Sequence, residues 1–172
     1  MFLSFIRNFS AKRFLRKRSL NVNSPENASK VTTVGLLIDE TYFKYKEALV
    51  GELVSYGFEF QNITILSFKN RFKKKEIPNV PYFSRKDVSW LGTIEKGEVK
   101  QFKNQAIDVL ISYYDINKAP LMIVTHNSKA KFKVGFSSVD KRLNHLMIDT
   151  SIEEYQTFVS ELIKYLKILN KL

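Results

Sequence analysis

Residues 31–68 read VTTVGLLIDETYFKYKEALVGELVSYGFEFQNITILSF, and this stretch decides the fold. Val31–Ile38 is short, apolar and rich in β-branched side chains, the composition of a strand buried on both faces. Asp39 or Thr41 is placed to cap a helix over about Tyr42–Tyr56, with Tyr42, Tyr45, Leu49 and Leu53 on one face and Gly57 ending it. Asn62–Phe68 is a second strand of the buried type. Strand, helix and strand in about 38 residues predict a βαβ unit with parallel strands, whose crossover is nearly always right-handed.

The same alternation continues along the chain. Ala106–Tyr113 is a third strand, Lys118–Ala130 a short helix and Phe132–Phe136 a fourth strand, which makes a second unit with room for a crossover. His145–Asp149 is a further short strand. The C-terminal segment opens on a capping box, Ser151-x-x-Glu154, and then repeats Tyr155, Phe158, Val159, Leu162, Ile163, Leu166 and Leu169 at helical spacing. Lys164, Lys167 and Lys171 load the negative end of that helix. Residues 69–104 are the least regular, with the basic run Lys69–Lys75, Pro78, Pro81, Gly92 and Gly97, and predict a long connection holding one or two short strands. The expectation is an α/β, Rossmann-like fold with a mostly parallel sheet flanked by helices: one domain over residues 31–172, preceded by a basic N-terminal arm over residues 1–30.

Composition narrows the chemistry. A chain of 172 residues suits one domain with a real core. Its net charge of +11 attracts polyanions such as nucleic acid, anionic membrane or acidic protein. Residues 1–30 carry seven Lys or Arg against Glu26, leaving +5 for the other 142 residues. There is no cysteine, hence no disulfide, thiolate ligand or cysteine nucleophile, and two histidines are too few for an ordinary metal cluster. No apolar run approaches the ~20 residues that span a bilayer. Arg7 and Asn8 interrupt the apolar start, so residues 1–18 read as retained rather than as a signal peptide, and the expected location is cytoplasmic.

Nucleotide-binding fingerprints fail. After the first strand stands Asp39-Glu40-Thr41, where a dinucleotide-binding turn needs glycines to bring backbone N–H groups to a pyrophosphate. No phosphate-cradling G-x-x-x-x-G-K-[ST] occurs. A ligand site in an open α/β sheet lies outside the carboxyl ends of its strands, which here carry Asp39, Glu40, Lys69, Tyr114, Asp115, Ser137, Ser138 and Asp140. The commoner use of Asp39 and Asp115 is to cap helices and turns. His126 lies in Thr125-His126-Asn127-Ser128, but sequence neighbours are rarely oriented as nucleophile and base. No catalytic constellation, metal site or cofactor is expected.

The basic residues carry more weight. Lys69, Arg71, Lys73, Lys74 and Lys75 surround Phe72, and Lys129, Lys131, Lys133, Lys141 and Arg142 line the region of the fourth strand. Strand alternation in Lys131-Phe132-Lys133 puts both lysines on one face, opposite Phe132. Such clusters either grip phosphates without reading sequence or serve as a solvated surface. In the arm, Phe2, Phe5, Ile6 and Phe9 fall at helical spacing ahead of Arg13, Arg16, Lys17 and Arg18. A basic amphipathic helix of this kind packs on its own domain, docks on RNA, or lies on an anionic membrane.

Ala106–Tyr114, Ser128–Phe136, Val139–Leu143, Leu146–Thr150 and the closing LIKYLKILNKL of residues 162–172 resemble an uncharacterised domain family of flavobacteria and related bacteria. Val34-Gly35 and Trp90-x-Gly92 extend the resemblance over about residues 31–172. That family implies no activity to transfer. Asp108–Ile111 leading through a helix to Lys133–Phe136 is fainter in its likeness to the N-terminal half of heptosyltransferase-type glycosyltransferases, which implies a Rossmann-like fold.

Two functions compete. The leading expectation is a non-catalytic basic protein that contacts RNA or a ribonucleoprotein, the ribosome among them. The alternative is a small Rossmann-like enzyme or ligand-binding domain using Asp39, Glu40, Asp115, Ser137 and Asp140. Peripheral membrane attachment through residues 1–18 is a third use of the arm.

Overall fold

The computed structural model describes residues 30–71 and 78–172. Six strands form one sheet: β1 (Val34–Asp39), β2 (Ile63–Lys69), β3 (Tyr82–Ser84), β4 (Val109–Tyr113), β5 (Phe132–Phe136) and β6 (Leu146–Ile148). Their order is β3-β2-β1-β4-β5-β6 and every pairing is parallel. The helices are α1 (Lys46–Ser55), α2 (Gly97–Asn104), α3 (Ala119–Asn127) and α4 (Tyr155–Ile168). This is the Rossmann-like α/β arrangement read from the sequence.

Strand periodicity sorts the core into two layers. Leu36, Ile38, Val109 and Ile111 pack under α1 and α4, together with Leu49, Leu53, Phe158 and Leu162. Leu37, Leu66 and Leu110 point the other way, against Val99 and Phe102 of α2 and Leu121 and Val124 of α3. All six positions of β1 are buried, because helices cover both its faces and β2 and β4 flank it. Gly35 of β1 is needed for this packing, since a Cβ there would stand 2.7 Å from Cδ1 of Ile107.

Several boundaries differ from expectation. The first helix starts at Lys46, and neither Asp39 nor Thr41 caps it. Asp39 instead accepts the Thr41 N–H at 3.0 Å, and the Thr41 hydroxyl accepts the Asn70 N–H at 3.2 Å, which hold an extended first loop. Tyr42 and Tyr45 are therefore exposed loop residues rather than part of a buried helix face. Gly57 does end the helix, at φ +100°, with its N–H on the Val54 carbonyl and the Phe58 N–H on the Leu53 carbonyl. Residues 69–104 hold one expected short strand, β3, and an unexpected helix, α2. At the C-terminal helix, the Glu154 carboxylate accepts from the Ser151 N–H and hydroxyl, but the helix begins only at Tyr155. The acid thus closes a turn before the helix instead of its first turn. Among the described residues no helix is long and apolar enough to cross a membrane.

Candidate functional site

The strand order reverses between β1 and β4, so the crevice of an open α/β sheet lies outside the carboxyl ends of these two strands. That position is filled by side chains. Lys118, just ahead of α3, donates to Asp39 at the end of β1, and both are buried. The ammonium also lies 5.0 Å from the centre of the Tyr42 ring and 5.7 Å from that of Phe68. Beside it, the Glu40 carboxylate accepts from the Ser67 hydroxyl at 2.5 Å and meets the ammoniums of Lys46 at 2.9 Å and Lys69 at 3.7 Å. Burial works against the ionised Glu40, but the Ser67 hydrogen bond and the two lysines outweigh it and hold its carboxyl below the usual range. Lys46 further donates to Oδ1 of Asn79, tying α1 to the β2–β3 connection. Two acids that would repel a phosphate are thus neutralised by three lysines arriving from α1, β2 and the start of α3.

The remaining residues of the expected ligand site reach the same edge but bind one another. Ser138 donates to the Asp115 carbonyl at 2.8 Å, and the Asp140 N–H donates to Oδ1 of Asn117 at 2.9 Å. Asp140 takes the Arg142 guanidinium through both oxygens, which lowers its carboxyl. Ser137 donates to Asp149 at 2.6 Å. These bonds staple the loops after β4, β5 and β6 together.

The basic residues divide between two ends of the sheet. Lys69 and exposed Arg71 continue β2 at the carboxyl edge, while Lys73, Lys74 and Lys75 lie outside the described residues, as do Arg13, Arg16, Lys17 and Arg18 of the arm. Lys129 and Lys131 stand at the amino edge, where Lys131 pairs with Asp108 at 2.9 Å. Lys133 corrects the strand-alternation reading. It is buried, and its ammonium donates to the carbonyls of Thr125 at 2.8 Å and His126 at 3.3 Å, the last turn of α3. Burial lowers its pKa to about 8. Lys131 precedes the strand and is exposed, so the two lysines do not share a surface. Lys141 and Arg142 are exposed on the β5–β6 crossover.

Both histidines meet Lys133. Nδ1 of His145 accepts the Lys133 N–H at 2.9 Å and its ring stacks on Phe132, while His126 presents its carbonyl to Lys133. The Ser128 hydroxyl accepts the Ala130 N–H. Among the described residues no group of three or more His, Asp or Glu side chains is placed to hold a metal ion.

Two features were not read from the sequence. Asp108 is a clamp: Oδ2 accepts from the backbone N–H and hydroxyl of both Thr32 and Thr33. Tyr42 and Trp90 are about seven-tenths exposed on loops after β1 and β3. The adjacent Asp39-Glu40 pair offered a signal for Tyr42, since an ion-paired turn delays the helix start. Trp90 had no comparable signal, because its exposure depends on the Val88–Ile94 bridge.

Charge is distributed unevenly along the chain. Residues 1–29 and 72–77 hold nine Lys or Arg and two Glu, whereas the described residues hold nineteen and fifteen acids. A family model of unknown function, DUF6913, matches residues 7–169, a span that takes in the whole sheet and part of the arm. No curated protein and no solved structure matches the chain.

Proposed function

The chain belongs to this family of unknown function (DUF6913), and from its own geometry we propose that it is a cytoplasmic, non-catalytic binding protein whose basic segments contact RNA or a ribonucleoprotein. One observation carries this reading. Most of the positive excess resides in residues 1–29 and 72–77, with nine Lys or Arg against two Glu, while the described residues hold nineteen against fifteen acids and pair Lys46, Lys118 and Lys131 with acids. In the sequence Lys73, Lys74 and Lys75 follow directly on Lys69 and Arg71, which stand at the carboxyl edge. A dense run of cations is the kind of charge that exchanges counterions with a phosphate backbone.

The test is binding as a function of salt. The purified protein brings nucleic acid with it and co-sediments with ribonucleoprotein at low salt. Replacing Lys73, Lys74 and Lys75 together with alanine weakens binding and flattens the log–log salt dependence by about 2 for a single strand. A protein that stays unbound at every salt concentration overturns the proposal.

The strand order itself favours a second reading, a small-molecule site at the switch point with Asp39, Glu40, Asp115, Ser137 and Asp140. It requires the Lys118–Asp39 pair to open. The likeness of Asp108–Ile111 and Lys133–Phe136 to heptosyltransferase-type enzymes is, in this reading, one of fold, and no sugar transfer is proposed.

A further inference from the structure

Helices α2 and α3 leave a cavity of about 290 Å³ between them, bounded on a third side by the segment that leads into α2. Its wall is apolar: Ile94 of that segment, Val99 of α2, and Ile123 and Val124 of α3. Val99 and Lys103 are four residues apart on α2, as Ile123 and Asn127 are on α3, so each helix turns one face to the cavity and carries a polar residue on it one turn further along. Thr93 and Glu95 complete the lining. None of these residues belongs to the basic segments or to the switch-point set around Asp39 and Lys118.

The charges around the cavity are not equivalent. Lys96 donates to the Tyr82 carbonyl at 2.5 Å and pairs with Glu98, and Lys100 holds Glu95, the one acid of the lining, at 2.5 Å. Half-buried Lys103 has no carboxylate at ion-pair distance among the described residues, and acts on Glu95 only from further away. Both helices end beside the cavity, and a bare helix C-terminus repels an anion. Here those carbonyls are occupied: Lys133 donates to Thr125 and His126, the Ser128 N–H to Val124 at 2.9 Å, and the Lys129 N–H to Lys103 at 2.9 Å. The volume is about twice the ~150 Å³ of an apolar cavity that takes up benzene, so a ring with a short polar tail fits it. From this lining we infer that the cavity between α2 and α3 binds a small amphipathic carboxylate, with its apolar body among Ile94, Val99, Ile123 and Val124 and its carboxylate on the Lys103 ammonium. A charge-assisted hydrogen bond from that ammonium favours the carboxylate over a neutral hydroxyl.

The experiment uses 3-phenylpropionate, with its neutral analogue 3-phenylpropanol and with acetate for comparison. Added to the full-length protein at physiological salt, 3-phenylpropionate shifts the methyl NMR signals of Ile94, Val99, Ile123 and Val124 and binds with a Kd on the order of 1 mM. Acetate leaves those signals in place, because a charge without an apolar body gains nothing from the wall. The alcohol binds about ten-fold more weakly, Lys103→Met brings the carboxylate down to the affinity of the alcohol, and Lys103→Arg restores it. Lys103 is partly exposed, and an unaltered melting temperature verifies that each variant folds. Shifts confined to other residues, no binding, equal affinity for carboxylate and alcohol, or an unchanged affinity in Lys103→Met each overturn the inference. None of these outcomes bears on RNA binding by the basic segments, which is read separately from its salt dependence.

Discussion

Asp39 and Lys118 illustrate how a residue's chemistry is decided by what reaches it. A carboxylate at the end of a first strand reads from the sequence as a helix or turn cap, or less commonly as part of a ligand site. The structure makes it half of an ion pair, with Lys118 arriving from 79 positions further along. Both partners are buried, so removing one leaves an uncompensated charge in the core. Lys118→Ala is expected to lower stability by about 3–5 kcal/mol in denaturant unfolding, and the double variant Asp39→Leu/Lys118→Met to recover much of that loss. Equal losses in the single and double variants would show that the pair's Coulombic attraction is itself the stabilising term. Asp108 makes the same point at the opposite edge: a polar residue inside a strand-like stretch proves to organise Thr32, Thr33 and Lys131 around one carboxylate.

At the scale of elements, α3 shows an apolar helix closed by a lysine from a neighbouring strand. Its last turn leaves carbonyls without intrahelical donors, and Lys133 of β5 supplies them from beneath. The cost is a buried ammonium whose pKa falls to about 8. The folded protein releases this proton before the unfolded chain does, near 10.4. Between about pH 8 and 10.4 the unfolded state therefore binds more protons, and this group's contribution to stability rises with pH. Below pH 8 both states are protonated and the desolvation cost is fully present. Lys133→Met is expected to remove this alkaline rise, measured by urea unfolding at a series of pH values. A variant with the same pH profile as the wild type would sink the idea. The helix α2 marks the limit of periodicity: over Gly97–Asn104 only Val99 and Phe102 are buried, too few to stand out among Lys, Glu, Gln and Asn.

For the molecule as a whole, the two functional readings separate in a thermal-shift measurement. A ligand that binds only the native state must raise its melting temperature. Heparin at low salt is expected to do so, with the shift vanishing at high salt, whereas mononucleotides and sugar nucleotides leave the melting temperature unchanged. Stabilisation by one of these small ligands, insensitive to salt, would favour the switch-point site instead. The α/β class, the two βαβ units and the C-terminal helix were legible in the sequence, because short unbroken apolar runs mark β1, β2, β4 and β5 and a stripe at helical spacing marks α4, both local properties. The charge excess of residues 1–29 and 72–77 was legible too, being a count. Strand order, the pairing of Asp39 with Lys118 and Glu40 with Lys46, and the burial of Lys133 were decided only by the tertiary structure. Each depends on which distant segments a parallel sheet brings side by side, and no local pattern encodes that neighbourhood.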